Sequence, residues 1–199
     1  MGKKETAARR LAIIHTARDL FAEKDYYKTK ISDITNRLGI SHGTFYNYFN
    51  NKSDVFTHII KGYIKRLEEI FLKDNPRLSN NAIEFRNQLV RLTNELFDVF
   101  IEDQNMYDLL FFRAEVAGLE IKKEIKKLFK TAELFIEKYL AHGVNKKFLK
   151  SSIDASLNAK AIRGMTTVAI EDLMENDAPL QLKERWIISL SNFIIDGLS

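Results

Sequence analysis

The chain has 199 residues, enough for one large domain or a small domain joined to a larger one. Its 45% apolar and 29% charged residues describe a folded globular protein, and the absence of cysteine excludes disulfide frameworks, cysteine metal clusters and thiol nucleophiles. The net charge of +4 is unevenly spread, with +7 on residues 1–66 and −3 on the remainder, so the first third is expected to meet a polyanion.

No apolar run approaches the ~18 residues that span a bilayer, and the start MGKKETAARR lacks the apolar core of a signal peptide. A cytoplasmic address without membrane contact is expected. A first helix is predicted from about Thr6 to Lys24, with Leu11, Ile14, Ala17, Leu20 and Phe21 on one face and Arg9, Arg10 and Arg18 beside it. Asp25 to Lys30 is a polar connection from which Tyr26 and Tyr27 can fold back onto the core. Thr29 is the expected N-cap of the next helix.

The stretch from Ile31 to Phe49 carries the strongest local signals. Ile31, Ile34 and Leu38 recur at helical spacing, and Gly39 can end that helix in the left-handed conformation without a steric penalty. Ser41 suits the N-cap of a second short helix, with Ile40 and Phe45 placed as a hydrophobic staple. Phe45 and Phe49 point inward, leaving His42, Thr44, Tyr46 and Asn47 outside. This is a helix-turn-helix, whose second helix enters the major groove of DNA.

The exposed face of that helix has matching chemistry. Thr44, Tyr46 and Tyr48 offer hydroxyls to phosphate oxygens, Asn47 an amide for a base edge or phosphate, and His42 either contact. Gly43 costs the helix roughly 1 kcal/mol against alanine but lets another molecule approach the backbone closely. Asn51 suits the N-cap of a fourth helix that runs to about Lys73. Lys52, in its first turn, has the wrong sign for the helix dipole and makes sense if an anion such as phosphate lies there.

Asn75-Pro76 ends the fourth helix, and the rest also reads as helix: about Asn80–Glu102, Asn105–Ala117, Glu120–His142, Ser152–Asn176 and Leu180–Gly197. The expected architecture is all-α, with about nine helices. Residues 1–52 form the helix-turn-helix domain, helix 52–73 connects, and residues 74–199 form a larger helical body. His15, His42, His58 and His142 are scattered, and neither a nucleophile elbow nor a glycine-rich phosphate loop occurs. No metal, cofactor or enzymatic activity is expected.

Residues 9 to about 66 resemble the DNA-binding domain of TetR-type transcriptional regulators. The matching residues are Ala17, Leu20-Phe21, Thr29, Ile31, Asp33-Ile34, Gly39-Ile40-Ser41, Gly43-Thr44, Tyr46, Tyr48-Phe49 and Lys52. The resemblance implies a dimer on a palindromic operator, the Ser41–Tyr48 helix in the major groove, and Thr29, Tyr48 and Lys52 gripping backbone. Asp25 stands where the family often has glycine, Thr35 and Leu38 where small alanines are usual, and His42 where lysine or arginine is common.

For the body, the resemblance implies a small-molecule inducer and dimerisation through the last two helices. The residues independently offer two apolar stripes for a four-helix bundle: Ile153, Leu157, Ala161, Gly164 and Val168, then Trp186, Leu190, Phe193 and Ile194. Two recognition helices must be held about 34 Å apart to read one face of DNA, which favours a homodimer. Phe97, Phe100, Tyr107, Phe111, Phe112 and Phe135 can line a cavity for a hydrophobic effector, with Arg113, Glu115 and Arg163 as polar contacts. The reading is a ligand-responsive DNA-binding repressor. The alternative is a DNA-binding protein whose body binds a protein partner or no ligand.

Overall fold

The computed structural model describes residues 3–112 and 118–198, the side chains of Lys3 and Phe112 excepted. No strand occurs among them. Their contacts divide the described residues into two compact units, one drawn from Met1–Ile64 with Asp108–Ile125, the other from Lys65–Tyr107 with Lys126–Ser199.

The first unit is built on α1 (Lys3–Lys24), α2 (Ile31–Leu38), α3 (His42–Tyr46) and the start of α4 (Lys52–Lys73). Its core side chains are Ile13, Ala17, Leu20 and Phe21 of α1, Ile34 of α2, Phe45 of α3, and Val55, Phe56 and Ile59 of α4. The inward face of α1 differs from the expected one at its start. Leu11 lies about 120° round the helix from Ala17 and is exposed, whereas Ile13, four residues before Ala17, is fully buried.

The connection between α1 and α2 is held from both ends. Asp25 turns the chain with φ of 79°, a left-handed conformation in which Asp is tolerated, and its carboxylate accepts the Tyr27 N–H at 2.8 Å. Tyr26 folds back against Phe21 (5.2 Å) and Phe56 (5.0 Å), but Tyr27 stands in solvent. Thr29 is not the N-cap of α2. That position belongs to Lys30, whose N–H donates to the Asp33 carboxylate at 2.9 Å, while the Thr29 hydroxyl donates inward to the carbonyls of Leu20 (3.1 Å) and Asp25 (2.7 Å).

The second unit contains the remainder of α4, α5 (Ala82–Glu102), α6 (Asn105–Tyr107), most of α7 (Gly118–Asn145), α8 (Ala155–Glu175) and α9 (Pro179–Leu198). Asp108–Phe112, of the first unit, follows α6 as a π-helical turn. Residues 113–117, which the sequence places in a helix, lie outside the described residues. Side chains of Asn81 and Asp154 cap α5 and α8 by accepting the N–H groups of Glu84 and Leu157, each at 2.9 Å. The long α5 packs on α8 and α9, burying Phe85, Leu92, Phe97 and Phe100 against the inner faces of its neighbours.

Polar groups also cross the α5–α9 seam. Lys183 is buried on α9 and pairs with Asp98 of α5, which also accepts an Asn94 amide N–H at 3.0 Å. Arg86 donates to Asn192 further along. These contacts fix the register of two long helices that apolar packing alone would let slide.

Candidate nucleic-acid interface

The helix-turn-helix geometry follows from three local interactions. Gly39 adopts φ of 62°, and its N–H and that of Ile40 close the end of α2 on the carbonyls of Asn36 (3.2 Å) and Thr35 (3.0 Å). The Ser41 hydroxyl accepts the Thr44 N–H at 3.1 Å, which starts α3. Phe45 and Phe49 then anchor the helix from beneath with their rings 6.0 Å apart, and both are buried. The Arg10 guanidinium covers Phe49 from α1 at 4.9 Å.

This anchoring decides which side chains face outward. His42, Gly43, Tyr46 and Asn47 are exposed together on α3 and its C-cap, with Tyr46 53% exposed despite its size. Ser41 is exposed beside them, while Thr44 and Tyr48 are half-buried. The hydroxyls of Ser41 and Thr44 share a hydrogen bond of 3.0 Å. A Cβ built on Gly43 would meet only the Ser41 hydroxyl, at 3.7 Å, so the glycine leaves the helix surface open rather than filling a tight contact.

Two residues expected at this surface are committed elsewhere. Thr29 is 1% exposed, with its hydroxyl spent on α1 and the turn behind it. The Lys52 ammonium donates to the carbonyls of Tyr26 (2.6 Å), Thr29 (2.8 Å) and Tyr27 (3.5 Å), and lies 4.2 Å from the centre of the Tyr26 ring. Burial holds its pKa below the ordinary lysine range, the nearby Asp25 carboxylate acting the other way. Asp54 behaves as expected of an acidic residue at N3 of α4. Its N–H is capped by the Asn51 side chain at 2.9 Å and its carboxylate accepts the Asn50 N–H at 2.9 Å.

Residues 13–59, which include α2, α3 and Lys52, match the family model described as bacterial regulatory proteins, tetR family. The matched segment is a TetR-type DNA-binding domain. Over almost its full length the chain is similar to the fatty acid metabolism regulator protein of Bacillus subtilis, at 23% identity covering 98% of this chain and 96% of the relative. It is 25% identical to the transcriptional repressor KstR2 of Rhodococcus jostii, covering 82% of this chain and 79% of the other. Among solved structures, that of the regulator FadR from Bacillus subtilis in complex with stearoyl-CoA superposes with a TM-score of 0.69. The identity is 22%, over 95% of this chain and 99% of that one.

In the helical body, the residues expected to line a cavity are divided. Phe97, Phe100 and Tyr107 are buried in the second unit, and Phe135 is half-buried there, 5.1 Å from Phe71 and 4.9 Å from Tyr139. Phe111 belongs to the first unit, while the Phe112 side chain, Arg113 and Glu115 lie outside the described residues. Arg163 pairs with Glu133 at 2.9 Å over the Phe129 ring at 5.3 Å, so its charge is already engaged.

A buried polar cluster beside these aromatics was not expected from the sequence. The Asp74 carboxylate follows the last residue of α4, is 2% exposed, and accepts hydrogen bonds from Tyr139 (2.6 Å), Gln88 (2.7 Å) and Arg91. The signal for it was Gln88, a polar residue three places from Phe85 and four from Leu92 on the inner face of α5.

The stripes expected to dimerise also separate. Leu157, Ala161 and Val168 of α8 are exposed, and Ile153 and Gly164 are half-buried. Of the four residues expected on α9, only Phe193 points outward. Leu190 (4% exposed) and Ile194 face the chain's own core, and half-buried Trp186 donates its indole N–H to Asp172 at 2.7 Å. The correction follows from helical geometry: Leu190 and Ile194 are four residues apart on the face that packs on α5 and α8, and Phe193 lies about 100° round from Ile194 and about 60° from Leu190, on the side away from Ile194. Among the described residues no helix is long and apolar enough to cross a membrane, and no group of three ligating side chains could hold a metal.

Proposed function

We propose that this chain is a dimeric, ligand-responsive repressor that binds a palindromic operator through α3 and is released by a small apolar effector. Residues 1–52 would read DNA and residues 74–199 would bind the effector and dimerise. The observation that carries the reading is the outward face of α3, where Tyr46, Asn47, His42 and Gly43 are presented together by a helix anchored on Phe45 and Phe49. Thr44, Tyr48 and Ser41 supply further hydroxyls at its edge.

Exposed Leu157, Ala161, Val168 and Phe193 support the dimer. Such side chains gain most by meeting a second copy across a two-fold axis, which also sets the spacing of two recognition helices. Sedimentation should give a dimer that binds duplex DNA. Leu157→Glu should split it and cost DNA affinity at least tenfold, while Tyr46→Ala should weaken binding to every sequence but leave the dimer intact. A wild-type protein that is monomeric, or indifferent to Tyr46, overturns this reading.

The effector reading rests on the aromatic group Phe71, Phe135, Tyr139 and Phe85 and on the relative whose structure holds stearoyl-CoA. A long-chain acyl thioester is therefore the first ligand to test. It can release DNA only if it prefers the conformation in which the recognition helices do not fit the operator. Calorimetric titration with stearoyl-CoA should show weaker binding to the DNA-bound protein than to the free protein, and equal affinities remove the coupling. The engaged Arg163 favours the second reading, in which the body binds a protein partner or no ligand.

A further inference from the structure

Lys52 occupies the first turn of α4, where a cation is disfavoured by the helix dipole, and nothing about α4 itself calls for one. Its surroundings do. An ammonium has three donor protons, and three carbonyls of the α1–α2 connection converge on it, those of Tyr26, Tyr27 and Thr29. The Tyr26 ring closes the site from the side at 4.2 Å, and that ring is itself wedged between Phe21 and Phe56 of the core. The same connection is tied from beneath by the Thr29 hydroxyl on the carbonyls of Leu20 and Asp25.

Between these two anchors the connection displays Lys28 and Lys30, both exposed, beside exposed Tyr27. We propose that Lys52 is a positioning residue for DNA binding: its ammonium fixes the Tyr26–Thr29 backbone to the start of α4, so that Lys28 and Lys30, not Lys52, meet the phosphates. This rests on the DNA-binding reading above. A phosphate contact by Lys52 would require its ammonium to leave two carbonyls that it holds at 2.6 and 2.8 Å, both on buried residues.

The two roles differ in their dependence on salt. Each phosphate neutralised adds about 0.9 to the slope of log affinity against log salt concentration. The affinity of wild-type protein, Lys52→Met and the double variant Lys28→Ala/Lys30→Ala for a mixed-sequence duplex would be measured over a range of salt, far below the melting temperature. Lys52→Met is expected to bind several-fold more weakly with an unchanged slope, and the double variant to lose up to about 2 from the slope. In wild-type protein, the Lys52 Cε protons should carry an upfield ring-current shift from Tyr26, by NMR, that survives saturation with DNA.

A slope reduced by about 1 in Lys52→Met, a Cε shift that collapses on adding DNA, or normal affinity in Lys52→Met each overturns the proposal. So does an unchanged slope in the double variant. The NMR measurement needs only the wild-type protein, so it decides the matter even if Lys52→Met fails to fold. Failure of the wild-type protein to bind any duplex would instead remove the DNA-binding reading itself.

Discussion

Phe45→Ala is expected to destabilise the helix-turn-helix unit by about 3–5 kcal/mol, the range for truncating a fully buried aromatic side chain. The effect should exceed that of most core substitutions in its functional consequence, because α3 has only five residues and cannot persist on intrinsic propensity. Its orientation comes from Phe45 and Phe49 below and from the Ser41 cap at its start. Circular dichroism should show early loss of helix on heating. Fluorescence of Trp186, the single tryptophan, which lies in the other unit, should report a later transition. DNA affinity should fall with the first transition. A loss of stability under about 1 kcal/mol would mean that the pocket of Phe45 collapses around the smaller side chain.

Asp74→Ala should cost the second unit about 3–4 kcal/mol, because the Tyr139 hydroxyl and the Gln88 amide each lose a buried acceptor, at about 1–3 kcal/mol apiece. The Gln88 side chain shows how tightly this cluster is specified. Its amide nitrogen must face Asp74 (2.7 Å) and the Asn75 carbonyl (2.8 Å), which turns its oxygen into the interior with no partner among the described residues. Urea unfolding followed by Trp186 fluorescence would measure the loss.

The same cluster fixes a pH dependence. Burial alone would raise the Asp74 carboxyl. The bonds from Tyr139, Gln88 and the Asn75 N–H, together with the Arg91 charge, more than offset it and leave the group below the ordinary carboxylate range. A folded pKa below the unfolded one means that this stabilisation is complete above about pH 4 and is lost as pH falls through the folded value. Tyr139 is raised, by burial first and then by Asp74, so its contribution is complete below about pH 10 and lost above its raised value. The difference between wild-type protein and Asp74→Ala should therefore be widest between about pH 5 and 9, and narrow in acid. A difference that stays constant down to pH 3 would show that the carboxylate charge plays no part.

The helix-turn-helix was legible because its signals are local. Gly39, the Ser41 cap and the inward pair Phe45 and Phe49 act within a few residues of one another, so their spacing alone specifies the turn. Helix ends were legible for the same reason: Asn51 stands where the structure starts α4, and the expected start of the last helix at about Leu180 is one residue from the observed start of α9 at Pro179. The direction in which Leu11, Tyr27, Leu190 and Ile194 point was not legible. An apolar residue at helical spacing specifies a face, but whether that face meets the chain's own core or a second copy depends on which distant element lies against it.

Charge showed the limit most clearly. An excess of cations in the first third of the chain was visible in the sequence and is a sum over all of them, so it is insensitive to where any one points. The role of one lysine is not such a sum. By itself the sequence determined an all-helical chain with a helix-turn-helix at residues 31–49, because caps, a left-handed glycine and 3.6-residue periodicity are short-range physics. Only the tertiary structure decided that Thr29 and Lys52 are tied down behind the surface they were expected to form. Their partners, Leu20 and Tyr26, are brought to them by packing of α1 and α4, and a hydrogen bond exists only where folding has placed both of its ends.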